Sequence, residues 1–279
     1  MADHARGNRL VEACTADWVG KVCNKKTDHA QIFNRPCPKP SQTLLTAWHA
    51  VTDPPMNGSS GSLSVSERLC TFVPVMVKAI VFDLGGVLID LDFNRCVRAF
   101  REILGYERIT EILDLSHQKG IYGDMEAGLI TEDEFRSEIL KESRPGCVPG
   151  DVDRAMAGLL VGMDPAKARL LERLSGQYRI YGLTNNNEIS VKRMHDIYEE
   201  NGLDWQRVFI KEFISCRMKL MKPSRAIFDA VAAEIGLPGE EILFIDDSQR
   251  NVDGALAAGW KAALYVQGTD LGACIERNL

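Results

Sequence analysis

The sequence predicts an α/β protein built on a parallel sheet covered by helices on both faces, and three observations carry that reading. Five short apolar runs rich in β-branched residues follow one another after residue 74: Val75–Phe82, Tyr178–Leu183, Val208–Ile214, Ile242–Ile245 and Ala262–Val266. Segments with helical spacing of apolar residues separate the last four, the alternation expected of a parallel sheet with crossover helices. Three of the runs end in polar residues suited to chemistry: Asp83, Thr184 and the pair Asp246-Asp247.

Each element has its own signal. The run to Phe82 is continuous rather than alternating, as in a strand buried on both faces, and Gly85-Gly86 then allow a tight loop with close backbone approach. Val97, Phe100 and Leu104 fall at helical spacing, with Gly105 as a stop. Thr131 through Glu134 form a capping-box pattern ahead of Phe135 and Ile139. Two further helices are expected between Asp151 and Leu174, the second opened by Asp164-Pro165. Residues from about 94 to 163 therefore read as all-helical, a small cap inserted into a core formed by 76–93 and 164–279. Later, Ile227, Val231 and Ile235 recur every four residues before Gly236, and a helix over 251–258 precedes Gly259.

Residues 1–75 are different. They hold 6 of the 11 prolines, a Gly58–Ser62 linker-like patch and no sustained period, so no core is expected there. The segment reads as an irregular, disordered extension or as an upstream stretch absent from the natural product. Cys14, Cys23, Cys37 and His29 lack the tight C-x-x-C pair of a zinc site, and the 8 scattered cysteines are read as free thiols.

Charge and hydropathy exclude some classes of function. The net charge of −6 is uneven, +2 over residues 1–75 and −8 over the remainder, which argues against nucleic acid or an anionic membrane as partner. No apolar stretch approaches the roughly 20 residues needed to span a bilayer. There is no secretory h-region, and Asp3, Glu12 and Asp17 fit a transit peptide poorly. A cytoplasmic protein is expected, as a monomer or homodimer.

In a parallel sheet, ligands bind beyond the carboxyl ends of the strands. Asp83, Thr184, Asp246 and Asp247 would meet on that rim. Clustered carboxylates repel unless a cation sits among them, and hard oxygen donors with water and phosphate favour Mg²⁺. Lys222, in Met221-Lys222-Pro223, could neutralise a phosphate or a carboxylate.

The segments Phe82-Asp83-Leu84-Gly85-Gly86-Val87, Leu183-Thr184-Asn185, Lys222-Pro223 and Phe244-Ile245-Asp246-Asp247, in this order, resemble the four motifs of the haloacid dehalogenase (HAD) superfamily, subfamily IA. The run Asp83–Arg95 and the segment Glu126–Thr131 are similar to bacterial sugar phosphatases of the α-D-glucose-1-phosphatase type. The resemblance implies a Rossmann-like core with a helical cap, and a Mg²⁺-dependent phosphatase of a small phosphorylated metabolite, a sugar phosphate among the candidates. It implies that Asp83 is the nucleophile, forming an aspartyl-phosphate, and a metal ligand. Thr184, Asn185 and Lys222 would hold phosphate, with Lys222 also steadying the nucleophile. Asp247, the Gly85 carbonyl and Asp246, as ligand or as a group orienting one, would complete the metal site.

Gly85 departs from the pattern, because the family usually carries there a second Asp that serves as general acid and base. That step typically contributes about 10²–10⁴-fold, so the alternative is a weak or inactive relative serving as a binding or regulatory protein. Asp90 and Asp92 are candidate substitutes, though Asp92 also fits a helix N-cap. A carbon–halogen hydrolase needs no metal and leaves Asp246-Asp247 unexplained, and a phosphomutase needs the absent Asp. His117 and His195 show no spacing that suggests chemistry, and His195 is expected on a solvated helical face.

Overall fold

The computed structural model describes residues 76–113 and 120–279. The expectations for 1–75, including its cysteines and His29, and for His117 lie outside the described residues. Within them, β1 (Ala79–Phe82) is the middle strand of a five-stranded parallel sheet that also contains β4 (Arg179–Thr184), β5 (Lys211–Ile214), β6 (Ile242–Asp246) and β7 (Lys261–Leu264). The order is β5-β4-β1-β6-β7.

Alternation along the strands builds two cores at once. Ile80 and Phe82 join Leu243 and Ile245 on one face, while Ala79 and Val81 join Ile242 and Phe244 on the other. The first face is covered by α6 (Pro165–Ser175) and α7 (Glu188–Glu200), through side chains such as Leu171, Met194 and Ile197. The second is covered by α10 (Arg225–Ile235), through Phe228 and the residues at four-residue spacing, Ile227, Val231 and Ile235. Each such side chain, fully buried, is worth about 1.5–3 kcal/mol, and the central strand β1 carries no polar residue before it ends.

The chain leaves the sheet after β1 and returns through α6. Between them lie α1 (Phe93–Ala99), which widens into a π-helical turn over Phe100–Leu104, then α2 (Ile109–Ile112), α3 (Gly120–Glu126), α4 (Glu132–Lys141) and α5 (Pro149–Ala157). These helices enclose an apolar cluster of their own, with Phe100, Phe135, Ile139 and Val152 at its centre and Ile189 reaching in from α7. Start signals read from the sequence recur as observed caps. Asp92 accepts from Arg95 N at 2.8 Å, Thr131 and Glu134 close the capping box, and Asp164 accepts from Ala166 N at 2.8 Å.

Two expectations change. The insertion is not wholly helical: β3 (Leu160–Gly162) pairs antiparallel with β2 (Asp90–Leu91), a ribbon where the two connectors between sheet and insertion pass side by side. Strands of two and three residues are too short to show a period. The apolar run from Val208 also splits. Asp204 caps a short helix, α8 (Trp205–Val208), and pairing in β5 begins only at Lys211. No helix among the described residues is long and apolar enough to cross a membrane.

Candidate active site

The register Phe82↔Gly182 and Phe82↔Ile245 sets the ends of three neighbouring strands side by side. Asp83 follows β1, Thr184 ends β4, and Asp246 ends β6 with Asp247 next. All four expected rim positions thus share one edge. Asp83, Thr184, Asn185, Lys222 and Asp247 line a single cavity of about 540 Å³ between the sheet edge and the insertion, together with Gly85.

Lys222 is the hub of this edge. Its buried ammonium meets Asp83 Oδ1 at 3.0 Å, donates to Asp246 Oδ2 at 2.7 Å and to the Leu183 carbonyl at 3.0 Å, which occupies its three N–H groups. Burial alone would lower its pKa, but Asp246 and Asp83 outweigh burial and raise it, so it stays charged. Asn185 holds the Lys222 backbone in a reciprocal pair, Nδ2 to the carbonyl and Oδ1 from the N–H, both at 2.9 Å. Its side-chain amide is therefore committed to positioning Lys222.

Asp246 is wholly buried, and both its oxygens are engaged. Oδ1 accepts from Ser248 N at 2.8 Å and from Asn251 Nδ2 at 3.0 Å; Oδ2 accepts from Lys222 and, at 3.2 Å, from Asn251. It orients Lys222 and Asn251. Asp83 and Asp247 keep oxygens toward the cavity. Carboxylate oxygens of Asp83, Asp246 and Asp247 all lie within 4.8 Å of one another. Burial, with Asp246 and Asp247 adding to it, pushes the Asp83 carboxyl well up despite Lys222, and burial followed by Asp246 raises Asp247. Three carboxylates against one ammonium leave two negative charges, the complement of a divalent cation.

The loop after β1 is shaped to the same end. Gly86 has φ +78°, and a Cβ there would collide with Asp247 Oδ2, so the backbone passes against that carboxylate as only glycine permits. Gly85 is not so constrained. A Cβ at that position would rest 3.5 Å from Leu91 Cδ1, an ordinary contact. The donor set and the glycine cradle together fit a hard cation held by oxygen.

Several residues were not singled out from sequence. Asn251 sits on the first turn of α11 (Gln249–Ala257), five residues after Asp246, a spacing that was legible. Ser215, at the start of α9 (Ser215–Met218), accepts from Asn186 N at 2.9 Å and donates to the Glu126 carbonyl at 2.6 Å, joining rim and insertion through residues with no sequence signal. Glu126 and Tyr122 reach the cavity from α3. Asp90 and Asp92 do not line it; Asp90 pairs with Lys167 at 3.2 Å and Asp92 caps α1. His195 is not on a solvated face: it stacks on Trp205 at 3.8 Å and meets Glu212 at 2.6 Å.

A helical insertion roofing the carboxyl edge of a parallel sheet, with an acidic rim organised by a buried lysine, defines an α/β enzyme that handles an anion beside a cation. The chain belongs to the haloacid dehalogenase-like hydrolase family, whose model matches residues 77–259. It is 28% identical over 196 residues to a D-ribitol-5-phosphate phosphatase of Bacteroides thetaiotaomicron, covering 70% of this chain and 95% of that protein. A HAD family enzyme of the same organism, solved with magnesium and inorganic phosphate, superposes with a TM-score of 0.66 at 34% identity, covering 71% of this chain and 98% of that one. A HAD-like hydrolase of Porphyromonas gingivalis gives a TM-score of 0.65 at 33% identity, over 72% and 97% of the two chains.

Proposed function

We propose that this protein is a Mg²⁺-dependent phosphatase of small phosphomonoesters, a phosphorylated sugar or polyol being the expected substrate class. The observation that carries the reading is the Asp83–Lys222–Asp247 cluster, a carboxylate aimed into a cavity of small-molecule size beside an unbalanced pair of negative charges. The polyol phosphate named for the Bacteroides relative and the magnesium and phosphate bound by the Bacteroides structure support it.

Asp83, Asp247 and the Gly85 carbonyl would hold the cation, with Asp246 orienting its neighbours. Bound there, Mg²⁺ supplies charge neutralisation for the phosphoryl group and for the carboxylates around it. Asp83 attacks phosphorus through its free oxygen, while its other oxygen is held by Leu84 N at 2.7 Å and by Lys222, which fixes the line of approach. The Thr184 hydroxyl and the Asn185 backbone N–H receive the phosphoryl oxygens as the aspartyl-phosphate forms, with the Lys222 charge beside them, and water then releases phosphate.

The test is phosphate release from p-nitrophenyl phosphate and from a panel of sugar and polyol phosphates. Turnover should require Mg²⁺, stop with EDTA and disappear in Asp83→Asn. Gly85, which offers no side chain to the chemistry, favours the rival reading of a binding protein; purified chain with no turnover on any ester, yet saturable phosphate-ester binding, would establish that rival instead.

A further inference from the structure

Hydrolysis of an alkyl phosphate leaves an alkoxide that needs a proton, and water must lose one when it attacks the aspartyl-phosphate. Among the described residues lining the cavity, the carboxyl groups are Asp83, Asp247 and Glu126. Asp83 is engaged as nucleophile and Asp247 with the cation. Glu126 alone is uncommitted. It ends α3 on the insertion side of the cavity, across from the strand ends, 2% exposed, and its Oε2 is buried without a hydrogen-bond partner.

Its placement is fixed from the core. The Ser215 hydroxyl that donates to its carbonyl also receives Asn186 N, two residues beyond Thr184. Just past it, Gly128 has φ +67° and a Cβ there would collide with the Cys216 carbonyl, so the two backbones touch. Tyr122, four residues earlier on the same helix, offers its hydroxyl to the Glu126 carboxyl, which leaves the proton to the other oxygen.

Resting on the phosphatase reading, we propose that Glu126 is the general acid and base of the reaction. In the first half, Asp83 bonds to phosphorus, the bond from phosphorus to the leaving oxygen breaks, and the Glu126 Oε2 proton passes to that oxygen, leaving a carboxylate. In the second, water bonds to phosphorus and gives its proton to Glu126, the Asp83–phosphorus bond breaks, and both side chains return to their starting states. Burial pushes the carboxyl to about 8, against the lowering by the Tyr122 hydrogen bond, with Asp83 raising it and Lys222 lowering it. A cation at the rim offsets the Asp83 contribution but leaves burial, the largest cause, in place.

The experiment compares the full chain and Glu126→Gln, both with Mg²⁺, over phosphomonoesters graded by leaving-group pKa, from p-nitrophenyl phosphate to glycerol phosphate. The loss in kcat should deepen along the series and reach about 10²–10⁴-fold on the alkyl ester, at least tenfold more than on the nitrophenyl ester. An equal loss on every ester, as from a displaced cap, overturns the proposal, and so does no loss at all. Should the parent itself hydrolyse no ester, or Asp83→Asn keep its rate, the phosphatase reading fails and this inference falls with it. A parent that needs Asp83 and Mg²⁺ while Glu126→Gln shows no leaving-group dependence sinks this inference alone.

Discussion

Glu126 holds a proton that a solvent-exposed glutamate would release. A carboxyl at about 8 when folded and near 4.5 when unfolded keeps its proton in the native state across that window while the unfolded chain has lost it. The native state then binds more protons, so stability falls as pH rises through the window, by up to about 1.4 kcal/mol per unit. The groups that face it are Tyr122 on its own helix, Asp83 after β1 and Lys222 before α10. Glu126→Gln keeps the shape and removes the titration. Its melting temperature relative to the parent should therefore climb between pH 5 and 8.5, the rim carboxylates being common to both proteins and cancelling. Parallel melting profiles for the two proteins would show that the group titrates normally. At Gly86 the expected effect is on the cation. Gly86→Ala drives a methyl into Asp247 Oδ2 from a backbone conformation alanine resists. A Mg²⁺ titration of activity should show its midpoint raised at least tenfold with the fold intact by circular dichroism; an unchanged midpoint would place the cation away from Asp247.

Among elements, α4 offers the cleanest measurement, since its N-terminus is closed by a reciprocal pair. Thr131 N donates to Glu134 Oε2 at 2.8 Å, and Glu134 N donates to Thr131 Oγ1 at 3.2 Å. Thr131→Ala should cost about 1 kcal/mol in urea unfolding, with kcat unaltered because neither residue lines the cavity. That box was readable from four letters, and so were the strand ends. Asp83 and Asp246 each interrupt an apolar run at the point where the sheet stops, and burial forbids such a residue any earlier. The rest needed distance. Glu126 ends a seven-residue helix with no apolar period, and only Ser215, 89 residues on, makes its position intelligible. His195 read as surface because Trp205 and Glu212, which cover it, are separated from it by a turn and by α8. The β2–β3 ribbon pairs residues about 70 apart in strands too short for a pattern, and Asp90, singled out as a proton donor, turns out to pair with Lys167 outside the cavity.

At the scale of the molecule, the sheet edge gathers three carboxylates around one ammonium. Two apolar cores pin β1 and β6 from either side, so the carboxylates at their ends cannot spread apart, and Lys222 balances one of three. A ligand that binds only this arrangement stabilises the native state by RT ln(1 + [L]/Kd), about 2.7 kcal/mol at a hundredfold excess over Kd. For a folded region of this size each kcal/mol moves the melting temperature by about 2–4 °C, so Mg²⁺ added to chelator-stripped protein should raise it by about 5–10 °C. General screening relieves the same repulsion, though weakly, because Asp83 and Asp246 are buried and salt acts mainly on exposed charges such as Asp247. NaCl at matched ionic strength should therefore give a much smaller rise, and Asp247→Asn should lose most of the Mg²⁺ effect while keeping the NaCl one. Equal shifts from the two salts would mean that the three carboxylates are tolerated without a resident cation, and the charge argument for the site would fail.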